Sequence, residues 1–212
     1  VYDIGSNVIA RSIPLPNARD GDAEDLLASE SPVRLWYSFG ITNPGSLTLN
    51  NYPNFLRNLS IPLVGNIDLA TIDVLRDRER GVPRYNEFRR EIGLNPITKF
   101  EDLTTDPATL ANLKRIYGND IEKIDTLVGM LAETVRPDGF AFGETAFQIF
   151  IMNASRRLMT DRFYTKDYRP EIYTAEGLAW VENTTMVDVL KRHNPDLVDS
   201  LVGVENAFKP WG

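Results

Sequence analysis

Residues 144–162 carry Ala146, Phe147, Ile149, Phe150, Ile151, Met152, Ala154 and Leu158, apolar around nearly the whole circumference of a helix. A helix without a polar face has to be surrounded, so this segment is expected to be the buried centre of a helical core. The punctuation from residue 66 onward is helical too. Asn66 reads as an N-cap before Ile67, Ala70, Val74 and Leu75, and Gly81-Val-Pro83 breaks that run. A short helix over 84–92 is stopped by Gly93, and Asp106-Pro107 opens another that ends at Gly118. Ile121, Ile124, Leu127, Val128 and Leu131 keep helical spacing over 120–133, and Thr174 and Thr184 read as caps of two later helices. Before residue 66, prolines at Pro14, Pro16, Pro32, Pro44, Pro53 and Pro62 break regular structure. There we expect an extended piece over 8–15, an acidic surface loop over 17–31, and a helix within 46–59 that Pro53 limits or kinks. The fold class is all-α, with residues 1–46 irregular and 47–212 helical.

Composition excludes more than it selects. The chain has 212 residues, 42% of them hydrophobic, enough for a real core. Its net charge of -7, without a basic stripe, lacks the counterion-release attraction that drives nucleic-acid binding. It has no cysteine and one histidine, so neither thiol chemistry nor a His-rich metal cluster is available. The longest apolar stretch, 139–152, is interrupted by Glu144 and Gln148 and is too short to span a bilayer. Residue 1 is valine, and residues 1–16 show neither a basic start nor an apolar signal core, so the chain reads as an excerpt.

Few residues invite chemistry. His193 lies in Lys191-Arg-His-Asn-Pro, the polar end of a helix, where it complements the macrodipole. The pairs Glu101/Asp102 and Asp120/Glu122 sit in capping or solvated contexts. No nucleophile elbow, phosphate loop or dinucleotide fingerprint occurs, and no catalytic residue is assigned within the chain. Residues 76–90 crowd Arg76, Arg78, Arg80, Arg84, Arg89 and Arg90 among acids, and read as a structural latch of internal ion pairs. Arg156 and Arg157 stand near the end of the most apolar helix, and successive helical residues project about 100° apart, so one of them is expected to turn inward. Arg157 continues the Phe147, Phe150, Ala154 stripe; it needs either Asp161 or a bound carboxylate as partner.

Ile67-Asp-Leu-Ala, followed by Arg76-Asp-Arg-Glu-Arg-Gly-Val-Pro-Arg-Tyr-Asn-Glu-Phe-Arg, resembles the signature of the animal-type haem peroxidases, the superfamily that includes the cyclooxygenases. The likeness continues through Phe100-Glu-Asp-Leu-Thr, Ile116-Tyr-Gly-Asn-Asp-Ile-Glu, Leu127-Val-Gly-Met-Leu-Ala-Glu, Gly143-Glu-Thr-Ala-Phe, Ala154-Ser-Arg-Arg-Leu and Gly177-Leu-Ala-Trp-Val. Together these are similar to the fatty-acid alpha-dioxygenase branch, over roughly residues 47–211.

The resemblance implies a C-terminal portion of the mainly helical haem peroxidase fold. It implies a parent enzyme that adds O2 at the alpha carbon of fatty acids through a tyrosyl radical. Haem b is the implied cofactor. Its histidine ligands, the catalytic tyrosine and a calcium loop would lie upstream, in an N-terminal haem-binding half, which leaves the isolated chain inactive. Carried over by motif, Arg157 would bind the substrate carboxylate, and Asn51 would hydrogen-bond the proximal imidazole, with helix capping as its alternative. The alternatives to the dioxygenase are a haem peroxidase using small reductants, favoured by an Arg157–Asp161 pair, and a non-catalytic helical binding module. An intracellular setting is expected, with any peripheral membrane association depending on upstream segments.

Overall fold

A computed structural model describes residues 22–43, 45, 47–61 and 63–211. In chain order its helices are α1 (Asp22–Ala28), α2 (Pro32–Ile41), α3 (Asn54–Arg57), α4 (Leu69–Glu79), α5 (Tyr85–Glu91), α6 (Pro107–Tyr117), α7 (Thr126–Ala132), α8 (Glu144–Thr160), α9 (Pro170–Tyr173), α10 (Ala175–Asn183) and α11 (Met186–His193). Strands β1 (Leu59–Ile61) and β2 (Gly65–Ile67) form an antiparallel hairpin in which Ser60 faces Asn66. Among the described residues the chain is all-α apart from this hairpin. It divides into two compact units, one of residues 46–161 and one joining 1–45 to 162–212.

The second of these units closes on Val187, Leu190, Leu197, Leu201 and Trp211, with Val33, Tyr37 and Ile41 of α2 packed against them. Trp211 donates its backbone N–H to Gly40 O at 2.7 Å, and a Cβ at position 40 would stand 2.2 Å from the indole, so glycine lets the ring lie on the helix. α1 and α2 occupy part of the stretch expected to be irregular. Pro32 does not prevent this, because at the first helical position its missing N–H would have had no partner. In α1 the acids Glu24 and Asp25 lie toward the N-terminal half, where the macrodipole favours them. The expected extended piece over 8–15 lies outside the described residues. Thr174 caps α10 as expected, but the second cap is Thr185, in a capping box with Asp188.

The unit of residues 46–161 has its core in Tyr85, Phe100, Leu103, Leu113, Tyr117, Ile124 and Ala132. Asp106 and Gly118 bound α6 as expected, with Gly118 at φ 64. Three other expectations need correction. Only 54–57 of the 46–59 segment is helical, since Asn50 turns the chain at φ 65 and Pro53 starts the helix late. Asn66 belongs to the hairpin; the cap of α4 is Asp68, whose carboxylate accepts from Ala70 N at 3.0 Å and Thr71 N at 3.3 Å. Finally, 120–133 is not one helix but a 3-10 turn (Ile121–Lys123), an extended step at Ile124 and Asp125, and α7. The step is held open because Ile124 O accepts the Tyr85 N–H at 2.9 Å while Asp125 turns toward arginines.

Those arginines correct the internal-pair expectation. Arg78 grips Asp125 with bonds of 2.8 and 2.6 Å, Arg84 meets the same carboxylate, Arg90 pairs with Glu122 at 2.9 Å, and Arg89 reaches Glu133 and Glu144. Each of these pairs leads to an acid outside 76–90. Neighbouring residues on a helix diverge by about 100°, so Arg78 cannot face Asp77 or Glu79 and looks across to another element instead. Tyr117 completes the Asp125 site, donating its hydroxyl at 2.9 Å. Burial and the carboxylate push that phenol up to about 12. Burial would raise the Asp125 carboxyl, but the hydrogen bonds from Arg78 and Tyr117 and the two guanidinium charges outweigh it and hold the group below its ordinary value.

The largest correction concerns α8. Only Thr145 of this helix is buried, while Phe150 is 47% and Met159 75% exposed. An apolar circumference states that some surface covers the helix; it does not state that the surface lies in the same stretch of chain.

Two stability measurements follow from this packing. A Cβ at Gly129 would lie 2.3 Å from the Tyr85 ring, so Gly129→Ala should lower stability by about 1–3 kcal/mol in denaturant unfolding, whereas Gly45→Ala, with open space around it, should change little. Asp125→Asn should cost about 2 kcal/mol at pH 7, less than a fully buried pair because Arg78 and Arg84 stay partly solvated. Because the folded value is depressed, this contribution is complete above the unfolded value of about 4 and fades as pH falls through the folded one, so the two unfolding curves should converge in acid.

Candidate functional site

Two arginines of opposite character mark the two ends of α8. At its start, Arg89 of α5 is buried and fully engaged: Nε donates to Asn95 O at 2.7 Å, Nη1 to Thr145 Oγ1 at 2.7 Å and Glu133 Oε1 at 3.2 Å, and Nη2 to Glu144 Oε2 at 2.6 Å. Glu133 also accepts the Tyr85 hydroxyl at 2.5 Å and the Thr145 backbone N–H at 3.0 Å, and bonds the Thr145 hydroxyl. Burial first, then the Glu133 carboxylate, drives the Tyr85 phenol far above its ordinary value, so it stays a neutral donor. Beside it, Asn86 bridges Ile97 and Glu122. Four bonds to protein acceptors and two carboxylates beside it make Arg89 a structural cation.

At the other end of α8, Arg157 is exposed. It forms no ion pair with Asp161, and the inward turn expected for one of Arg156 and Arg157 is absent, because both lie on the open side of the helix. Seven residues earlier stands Phe150. Two turns bring Arg157 to within roughly 20° of its direction and about 10 Å along the axis. Phe150 belongs to an aromatic cluster in which Phe140 meets Phe147 at 4.4 Å and Phe142 meets Phe150 at 6.2 Å between centroids. The guanidinium therefore follows an aromatic wall along one face of α8.

Asn51 lies elsewhere, on the wall of a groove of about 610 Å³ that Tyr52, Val74, Val128 and Leu131 also line. Its position is fixed by backbone bonds, Leu49 N to Leu131 O at 2.8 Å and Asn51 N to Thr48 O at 3.3 Å. It does not cap α3, whose N-cap position is Pro53. Arg157 is not among the residues lining that groove.

His193, the single histidine of the sequence, sits on the exposed last turn of α11, and the described residues contain no His/Cys/Asp/Glu group able to hold a metal ion. An axial ligand of haem iron needs an imidazole facing a pocket that encloses the porphyrin. An exposed helix end does not fit that role, and the residues described here do not make a haem site by themselves.

This mainly helical architecture, with its arginine-rich signature knotted onto buried acids, defines a peroxidase-type domain. The chain belongs to the animal haem peroxidase family, which matches residues 9–203 and implies a haem. Alpha-dioxygenase 2 of Arabidopsis thaliana is 44% identical over 96% of this chain and 33% of its own length. Alpha-dioxygenase PIOX of Oryza sativa subsp. japonica is 49% identical over 82% of this chain and 29% of its own. A crystal structure of Oryza sativa fatty acid alpha-dioxygenase superposes with a TM-score of 0.80 at 45% identity, covering 90% of this chain and 32% of that one. The chain thus spans about a third of the length of these relatives. No described helix is long and apolar enough to cross a membrane.

Sequence reasoning singled out Arg157 and Asn51 as candidates and did not anticipate the cluster of Tyr85, Arg89, Glu133 and Thr145. The signal was available: all four lie inside the family motifs. Nothing in one sequence shows that three separate motifs converge.

Exchanging the two arginines should separate their roles. Arg89→Met strands a buried Glu133 and should cost about 3–5 kcal/mol, whereas Arg157→Gln on an exposed turn should stay within about 0.5 kcal/mol in thermal unfolding.

Proposed function

We propose that the complete protein is a haem-dependent fatty-acid alpha-dioxygenase, and that this chain forms the C-terminal part of its single peroxidase-like catalytic domain. The observation that carries the reading is the face of α8, on which an exposed guanidinium follows a wall of phenylalanines. A fatty acid offers the complement: a carboxylate for the planar fork of Arg157 and an acyl chain for the apolar face. A variant of the rice alpha-dioxygenase that was crystallised with palmitic acid, similar to this chain at a TM-score of 0.81, supports the choice of substrate class.

Arg157 acts in this reading by orientation. Fixing the carboxylate fixes the adjacent carbon, so a tyrosyl radical outside this chain can take the alpha hydrogen; O2 adds to the carbon radical, and the peroxyl radical takes a hydrogen back from the tyrosine to give the hydroperoxide and restore the tyrosyl radical. A haem held outside this chain would supply the oxidising power that forms the radical. Asn51 is the residue we assign to hydrogen-bond the imidazole that would hold the haem iron. The rival peroxidase reading was favoured by an Arg157–Asp161 pair; no such pair is present among the described residues. The helical-module reading draws on the exposed apolar face of α8, for which the haem-binding half is the simpler partner.

In the complete, haem-loaded protein, Arg157→Gln should raise the fatty-acid KM at least tenfold while haem per chain stays at the wild-type level. Equal loss of haem and fatty-acid use, or loss of neither, overturns the assignment.

A further inference from the structure

We infer that Glu133 is a positioning residue for Arg157: it caps α8 from outside the helix and thereby sets where the guanidinium meets a fatty carboxylate. The inference rests on the Arg157 reading above. Gly143 holds the N-cap position of α8 and has no side chain to satisfy the first amides. Glu133 supplies the cap instead, one oxygen accepting the Thr145 N–H at 3.0 Å and the other engaging the Thr145 hydroxyl. A carboxylate at a helix N-terminus is favoured by the macrodipole, and Arg89 at 3.2 Å and Tyr85 at 2.5 Å fix the direction in which it points. A Cβ at position 143 would stand 2.2 Å from the capping oxygen and 2.6 Å from Glu133 Cβ, so carboxylate and helix start share a space only glycine leaves free.

The grip matters because of where the rest of α8 lies. Thr145 is its one fully buried residue, and the directed bonds at the first turn act together with the half-buried Ile149, Met152 and Ala154 to set the direction of the helix. Twelve residues separate Thr145 from Arg157, about 18 Å of rigid rod, and a tilt of about 5° at the cap moves the guanidinium by about 1.5 Å. Misplacement on the order of 1 Å is enough to spoil a reacting geometry.

The test is a double-variant cycle in the complete haem-loaded protein with palmitate as probe. Gly143→Ala alters no charge but displaces the capping carboxylate. Dissociation constant, KM, kcat, haem per chain and hydrogen exchange of the first amides of α8 are read for Gly143→Ala, Arg157→Gln and both together. We expect faster exchange at those amides, palmitate binding about tenfold weaker in Gly143→Ala with haem unchanged, and a double variant no weaker than Arg157→Gln alone. Glu133→Gln, which keeps an acceptor oxygen, is run in the same cycle and should fall between wild type and Gly143→Ala. Additive losses would mean that the cap does not act through Arg157, and would overturn the inference while leaving the Arg157 reading intact. Unchanged palmitate binding in Gly143→Ala does the same. Unchanged binding in Arg157→Gln removes both, and loss of haem together with palmitate in both cap variants makes Glu133 a folding element only.

Discussion

The unit of residues 46–161 depends on one buried exchange of charge, the Arg89 guanidinium set between Glu133 and Glu144. Withdrawing a cation and a carboxylate from water is costly, and attraction between them offsets that only when every remaining donor and acceptor is met. Here Asn95, Thr145 and Tyr85 meet them. The cluster therefore acts as a three-way joint: α5 brings Arg89 and Tyr85, the end of α7 brings Glu133, and the start of α8 brings Thr145 and Glu144. Apolar packing tolerates a slide of a few tenths of an ångström; a network of directed bonds at 2.5–3.2 Å does not. Placing it at helix termini uses that precision where it fixes direction.

The Asp125 site repeats the device one layer away. Arg78 and Arg84 approach from either side of the Gly81–Pro83 break, so a single carboxylate holds α4 and the entry of α5 in one geometry. Tyr117 adds α6 to the same acid. The family signature thus supplies joints between helices. A motif can identify a family because its residues must find one another across the fold, which is a stricter demand than solvation or charge alone.

The all-α class and the limits of α6 were legible in the sequence because Asp106, Pro107 and Gly118 act through their own backbone, within a few residues. Legibility failed where a distant partner decided the outcome. Ile124 and Asp125 keep helical spacing yet are pulled extended by Tyr85 and the arginines, and Asn66 reads as a cap by sequence but belongs to the hairpin. The burial of α8 was misread for a related reason, since composition reports the need for a covering surface and not its location. At the site, Arg157 and Asn51 could be singled out by motif, but the exposure of Arg157 and the groove beside Asn51 are properties of three-dimensional surroundings.

The contrast between Arg89 and Arg157 shows how to tell the two kinds of arginine apart. Both lie in motifs, and both are tied to α8. One is buried, with four donor bonds to protein acceptors and two carboxylates beside it, which ties it into the fold. The other stands at the end of an aromatic face with no ion pair to Asp161, and a charge so placed beside apolar surface has little to gain from water once a larger body covers that face. Covering α8 without supplying an anion would strand the guanidinium in a low-dielectric setting, at a cost that only a carboxylate or similar group relieves. In the reading proposed above, an apolar helix that needs a cover and a cation that needs an anion are both satisfied by a fatty acid enclosed against this face.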